Sequence, residues 1–155
     1  MIVPPKKILW PTDFSDLSIE ALDYVRSLRE AFGSELHVVH VSEPLIIPPP
    51  GFPSLSEETL NLAHTKVLES AAMQLRRVVD KLSKGDPSVK SVILSGNPWV
   101  EICKYAKGFD IDLIVIATHG LTGLKHIVIG SVAERVVQHA ACPVLVVKSI
   151  EPHAK

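Results

Sequence analysis

The sequence predicts an α/β protein: a single open parallel sheet with helices on both faces. Three observations predict it. Five short runs rich in Val, Ile and Leu alternate with segments of helical periodicity, giving the order βαβαβαβαβ. Three of those runs are almost continuously apolar, as parallel strands covered on both faces must be. Capping and turn residues separate the runs, and strand–helix–strand units of this kind close with right-handed crossovers. The 155 residues are enough for one domain with a substantial core. No internal repeat and no second domain is visible, so residues 1–155 are expected to form one unit.

The elements follow in order. The first run is Lys7-Ile8-Leu9-Trp10. Residues 16–32 then place Leu22, Val25, Leu28 and Phe32 on one helical face, and Gly33 is expected to end that helix as its C′ residue. The second run spans Leu36 to Val41. After it, Ser42 to Ser54 contains Pro44, Pro48, Pro49, Pro50, Gly51 and Pro53. Proline fixes φ and removes a donor, so no regular element is expected there. The segment 42–54 reads as a flexible flap, with an ordered contact to a partner as the alternative. Residues 55–83 form the longest helical pattern, through Leu60, Val67, Ala71, Leu75, Val78 and Leu82. The third run, Val89 to Leu94, alternates more and is placed nearer a sheet edge. Asn97-Pro98 opens a short helix as N-cap and N1, and Gly108 is expected to close it. The fourth run is Leu113 to Ala117. Ser131-Val132-Ala133-Glu134 reads as a capping box starting the last helix, and Pro143 to Val147 is the fifth run.

Composition narrows the function. The formal net charge is −1 and the charges are mixed along the chain, so no global field gathers nucleic acid or an anionic membrane. Aromatic residues are only 5%, too few for platforms that stack single-stranded bases. The N-terminus lacks the apolar stretch of a signal peptide, and no run approaches the ~20 apolar residues of a membrane span. Cys103 and Cys142 form no C-x-x-C pattern, and the seven histidines show no metal-ligand spacing. A reducing cytoplasm is the expected setting.

Ligands of open parallel sheets sit beyond the carboxyl ends of the strands, at the point where the strand order reverses. The residues just after each strand are therefore the candidates. After the fourth run comes Thr118-His119-Gly120, and ten residues beyond Gly120 the pair Gly130-Ser131 opens a helix. A glycine here permits close approach of a ligand to the backbone. A helix N-terminus offers free N–H donors and partial positive charge, both suited to phosphate. Spacing alone leaves the alternative of a tight turn and a simple cap. After the first run, Asp13 can accept hydrogen bonds from both hydroxyls of a ribose, or can cap the helix at 16–32. Ser15 and Asp16 are alternative caps.

The pairing of Pro11-Thr12-Asp13-Phe14-Ser15 with Ala117-Thr118-His119-Gly120, nine residues, then Gly130-Ser131 resembles the universal stress protein family. The stretch from Ala133-Glu134-Arg135-Val136 to Cys142-Pro143-Val144-Leu145-Val146-Val147 is similar to that family too, and the resemblance covers essentially the whole chain. It implies a five-stranded parallel sheet in the order 3-2-1-4-5 (Rossmann-like, adenine nucleotide alpha hydrolase-like), usually dimeric. ATP-binding members carry Gly-x-x-Gly, nine residues, then Gly-Ser or Gly-Thr. Here the positions are Ala117, Gly120, Gly130 and Ser131, so alanine replaces the first glycine. The resemblance implies that Asp13 meets the ribose and the backbone of Val41 meets the adenine, with Pro11, Thr12, His119 and Val132 as further contacts. The ligand expected is ATP, or AMP or ADP, with or without Mg²⁺. In that strand order Val144 to Val147 form an apolar edge, an aggregation liability unless covered. Pairing of strand 143–148 with the same strand of a second subunit is expected to cover it.

The remaining residues have plainer readings. Lys125 and His126 read as solvated surface, Trp99 as a core anchor, and Cys103 as packing. Cys142 reads as packing rather than a redox-responsive thiol. Glu57-Glu58 complements a helix dipole. The function expected is an adenine-nucleotide-binding regulatory module of the stress response, with an unidentified protein partner. The alternatives are a slow ATPase or nucleotidyl transferase and a nucleotide-free interaction module. No second carboxylate, arginine finger or Walker lysine accompanies the glycines, so efficient phosphoryl transfer is not expected.

Overall fold

A computed structural model describes residues 3–46, 49–51, 53, 55–118 and 130–148. Along them run β1 (Lys7–Pro11), α1 (Asp16–Phe32), β2 (Glu35–Ser42), α2 (Glu57–Ser83), β3 (Val89–Ser95), α3 (Pro98–Gly108), β4 (Leu113–Ala117), α4 (Ser131–His139) and β5 (Val144–Val147). All strand pairs are parallel, in the order β3-β2-β1-β4-β5. The alternating third run is an edge strand, as its pattern predicts.

The chain steps from β1 outward to β3, crosses back to β4 and steps the other way to β5. That path puts α1 and α2 on one face and α3 and α4 on the other. Because side chains alternate across a strand, each central strand feeds both faces. Ile8, Trp10, Leu36, Val38 and Val115 pack with Leu22 and Val25 of α1 and Leu75 of α2. Leu9, Val39, Ile114 and Ile116 pack with Ile102 of α3 and Val136 of α4. The near-continuous apolar runs are the sequence record of this double cover, each fully buried aliphatic side chain contributing about 1.5–3 kcal/mol. His37, 1% exposed, is a buried polar residue within β2. Its ring lies 2.8 Å from the Tyr105 hydroxyl and 2.5 Å from Glu35 Oε1, so it is satisfied. Lys90, and secondarily His37, hold the Glu35 carboxyl below its ordinary range.

Local signals set most boundaries. Ser15 caps α1 by accepting from Ser18 N–H, and Gly33 ends it with φ 66° and a bond from its N–H to Arg29 C=O. Ser56 caps α2. The described part of the proline-rich segment beyond Ser42 forms neither helix nor strand. Several expectations are corrected. Phe32 ends α1 and is 46% exposed: periodicity places it on the packing face but does not report where the underlying sheet stops. Val67 is likewise exposed, at 44%, because the N-terminal half of α2 borders a cleft rather than a core. Asn97 sits at the N-cap of α3 without a side-chain bond, the helix start being set by Pro98. Gly108 is the last helical residue and Phe109 the C-cap. The capping box is not formed: Gly130 is the N-cap of α4, and Ser131 is already helical.

Candidate functional site

β1 and β4 are neighbours whose following helices lie on opposite faces, so the chain diverges between their carboxyl ends. A cleft of about 600 Å³ opens there, within the size range of small-ligand sites. Pro11 of β1, Thr12 and Asp13 of the turn after it, Val41 of β2, Ala117 of β4, the N-cap Gly130, and Ser131 and Val132 of α4 line it. His119 and Gly120 lie outside the described residues, as do Lys125 and His126. Val67 of α2 and Pro98 and Ile102 of α3 complete the walls. In the sequence Val67 is marked only by helical periodicity and Pro98 only as a helix start.

The turn after β1 is tightly bonded. Thr12, 5% exposed, donates its N–H to Val39 C=O at 2.8 Å. Its Oγ1 accepts from Phe14 N–H at 3.0 Å and from the buried Ser18 hydroxyl at 2.8 Å. Those bonds hold Phe14 at φ 64°, a left-handed conformation that costs a non-glycine residue about 1–2 kcal/mol. The Phe14 ring stacks on His40, with centroids 4.5 Å apart. Asp13 Oδ1 accepts from Ser15 N–H at 3.0 Å and from the Ser15 hydroxyl at 2.5 Å. Ser15 is the helix cap, so Asp13 does not take that role and instead lines the cleft.

Val41 presents backbone. Within a strand, alternate residues turn N–H and C=O toward the same neighbour. Val39 faces β1, through its bond from Thr12, and Ser42 faces β3, through its bond from Gly96 N–H at 3.1 Å. Val41 therefore faces the line of β1, but that ladder ends at the pair Pro11 and Val39. Its N–H and C=O point past the end of β1 into the cleft.

On the far side, Ala117 is 8% exposed, and its methyl joins Trp10, Val115 and Val147 in the core under α1. Alanine in place of glycine thus adds its carbon to the core, in an extended strand that needs no positive φ. Gly130 donates its N–H to Thr118 C=O, while Thr118 N–H donates to Val147 C=O at 2.9 Å. The Gly130 amide is therefore engaged. The first-turn N–H groups of Ser131, Val132 and Ala133 have no intrahelical acceptor and carry the positive end of the helix. Asp13 and Glu43 are the carboxylates among the described lining residues, which include no Lys or Arg. Attraction for an anion from the described residues thus comes from α4. Among them no group of three or more His, Cys, Asp or Glu side chains could hold a metal ion, and no helix is long and apolar enough to cross a membrane.

Other singled-out residues lie elsewhere. Trp99 packs against the second core, with His139 4.7 Å and the Arg135 guanidinium 5.5 Å from its ring centroid. Cys103 and Cys142 pack against the same core, and burial pushes both thiols above their ordinary range. His40 was not among the candidates. Its signal was present: a polar residue within an apolar run, directly before Val41.

Known proteins share both sequence and fold. The model of the Universal stress protein family matches residues 4–148. Universal stress protein MJ0531 of Methanocaldococcus jannaschii is 37% identical over 143 residues, which is 92% of this chain and 82% of the relative. Universal stress protein MJ0577 of the same organism is 34% identical over 158 residues, covering 96% of this chain and 98% of the relative. The solved structure of MJ0577 superposes with a TM-score of 0.85 at 35% identity, covering 96% of this chain and 99% of that one. A universal stress protein from Archaeoglobus fulgidus, solved in complex with dAMP, shares the fold at TM-score 0.60 and 23% identity, covering 94% of this chain and 98% of that one. With its matched sequence, its strand order and its cleft at the reversal point, this chain belongs to the universal stress protein family.

Proposed function

We propose that the chain binds an adenine nucleotide in the cleft between β1 and β4 and acts as a nucleotide-responsive regulatory module rather than an efficient enzyme. One observation carries the reading. A carboxylate (Asp13), an outward-facing strand backbone (Val41) and a helix N-terminus (Ser131, Val132) converge on one 600 Å³ cleft, matching in chemistry the ribose, base and phosphate of a nucleotide. The dAMP held by a relative of the same fold supports it. In this reading Asp13 accepts from the ribose hydroxyls and Val41 meets the edge of adenine. The Ser131 hydroxyl and the first-turn amides of α4 meet a phosphate. Gly130 supplies room and the cap, with its own amide committed to Thr118. His119 and Gly120 remain proposed contacts of the phosphate end. ATP, ADP and AMP all fit this division, and Mg²⁺ accompanies the triphosphate.

β5 is an edge strand with an apolar face, Val144 to Val147. We place a symmetric dimer there, through residues 143–148, with a protein partner engaged by the nucleotide-bound dimer. The whole chain acts as one domain; Ser42 belongs to β2, and the rest of the 42–54 segment acts as a flap beside the base.

Calorimetry with magnesium-ATP and with AMP tests the proposal: saturable binding is expected, and no heat at millimolar ligand overturns it. Gly130→Val supplies the control. Gly130 has φ −69° and ψ 157°, which valine adopts readily, so the substitution removes space rather than backbone freedom. It is expected to abolish nucleotide-dependent thermal stabilisation.

A further inference from the structure

The β1–β2 ladder ends in an unusual way. After the bond from Thr12 N–H to Val39 C=O, the next rung of a parallel pair runs from Val41 N–H to Thr12 C=O. It is not made: the register stops at Pro11 and Val39. The acceptor is nevertheless occupied, because His40 Nδ1 lies 2.9 Å from the Thr12 carbonyl oxygen. A carbonyl only accepts, so Nδ1 carries the proton and donates. The imidazole thus takes the place of the neighbouring backbone amide.

We infer that His40 is a positioning residue for the cleft: by capping the Thr12 carbonyl it holds the Asp13 peptide in place and keeps the Val41 N–H turned outward. Both effects follow from one bond. The Thr12 carbonyl and the Asp13 amide belong to one rigid peptide plane, so fixing the oxygen fixes the direction in which Asp13 leaves the strand. With that acceptor taken, Val41 N–H has no rung to fall back on. The stack of His40 on Phe14 keeps the ring over the turn. Without the Nδ1 donor, the Thr12 carbonyl would recapture Val41 N–H, extend the ladder by one rung and retract the strand edge from the cleft. The first effect is independent of any ligand. The second rests on the nucleotide reading above.

The test uses full-length ¹⁵N-labelled protein and two variants. His40→Phe keeps a ring to stack on Phe14 and removes the donor. His40→Asn places an amide nitrogen where Nδ1 was. In the ligand-free wild type, Val41 N–H is expected to exchange with solvent far faster than Val39 N–H. In His40→Phe, Val41 exchange slows by about tenfold or more, the effect of one added hydrogen bond. His40→Asn restores the wild-type pattern. A Val41 amide as protected as Val39 in the wild type, or unchanged exchange in His40→Phe, overturns the inference. The second readout is the affinity ratio of ATP to 2′-deoxy-ATP, which reports Asp13 on the ribose. It is expected to fall toward one in His40→Phe and to hold in His40→Asn; an unaltered ratio in His40→Phe counts against the positioning role. If the wild type binds neither nucleotide, the proposed function fails, and the exchange measurement still decides the role of His40.

Discussion

The two ends of the cleft are built differently. The β1–β2 end is a closed network: Thr12 alone makes four hydrogen bonds, one of them from His40, which clamps the turn from the neighbouring strand, and Ser15 ties Asp13 to the start of α1. Among the described residues, the β4–α4 end is held by backbone bonds around Thr118 and presents the open amides of a helix start. One end is rigid because its side chains satisfy one another, the other receptive because its donors are left open. A base and ribose of fixed shape suit the first, and phosphate groups of variable number suit the second.

That contrast can be broken at either end. The largest effect is expected from Asp13→Ala. Loss of the charged acceptor for the ribose weakens ATP binding by about 10- to 100-fold in calorimetry, the ~1.5–3 kcal/mol of one charge-assisted hydrogen bond. Thr12→Val should act on stability instead. It leaves the Phe14 N–H and the buried Ser18 hydroxyl without their acceptor, costing about 1–3 kcal/mol in urea-unfolding experiments. At the other end, Ser131→Ala removes one donor from an exposed helix start. Affinity for ATP should fall a few-fold, affinity for adenosine should hold, and stability should change by less than ~0.5 kcal/mol. Were Ser131→Ala as destabilising as Thr12→Val, the distinction between the two ends would be wrong.

The smallest effect concerns the far end of α1. Asp86 accepts from Ser88 N–H and hydroxyl and from Arg29 of α1, and these donors pull its carboxyl down to about 2. A depressed carboxylate contributes stability that is present above its ordinary value and lost as pH falls through the folded one. The stability difference between wild type and Asp86→Asn should therefore be constant at neutral pH, shrink from about pH 4 downward and vanish near pH 2. Nucleotide affinity should not follow it, since the Asp13 turn is held by its own bonds at the opposite end of the helix.

Much of this was legible in the residues. Alternation in Val89–Leu94 marks an edge strand, and continuous apolar runs mark the doubly covered ones. Asp13 and Gly130-Ser131 stand out because strand ends and helix starts are where open sheets carry chemistry. What was not legible depends on geometry between strands. Nothing in Ser131-x-x-Glu134 says that Gly130 takes the cap, because both sequences are good helix starts. Nothing local reveals that the Gly130 amide is committed to Thr118, or that His40 replaces a backbone donor. Both depend on where one strand stops relative to its neighbour. Ala117 departs from the family pattern in sequence, and nothing local says that its methyl joins the core.

The bond from Gly130 N–H to Thr118 C=O also has an engineering consequence. It brings together the two points where the chain leaves β4 and enters α4, so the intervening residues start and finish at one place. Once such an anchor exists, segment length becomes inexpensive: doubling it costs only ~0.6 kcal/mol in chain closure. By that chain-closure term alone, a change of length between these two anchors would leave β4, α4 and the Asp13 turn in place. In the proposed nucleotide reading, selectivity at the phosphate end would then be separable from the strands proposed to meet the base.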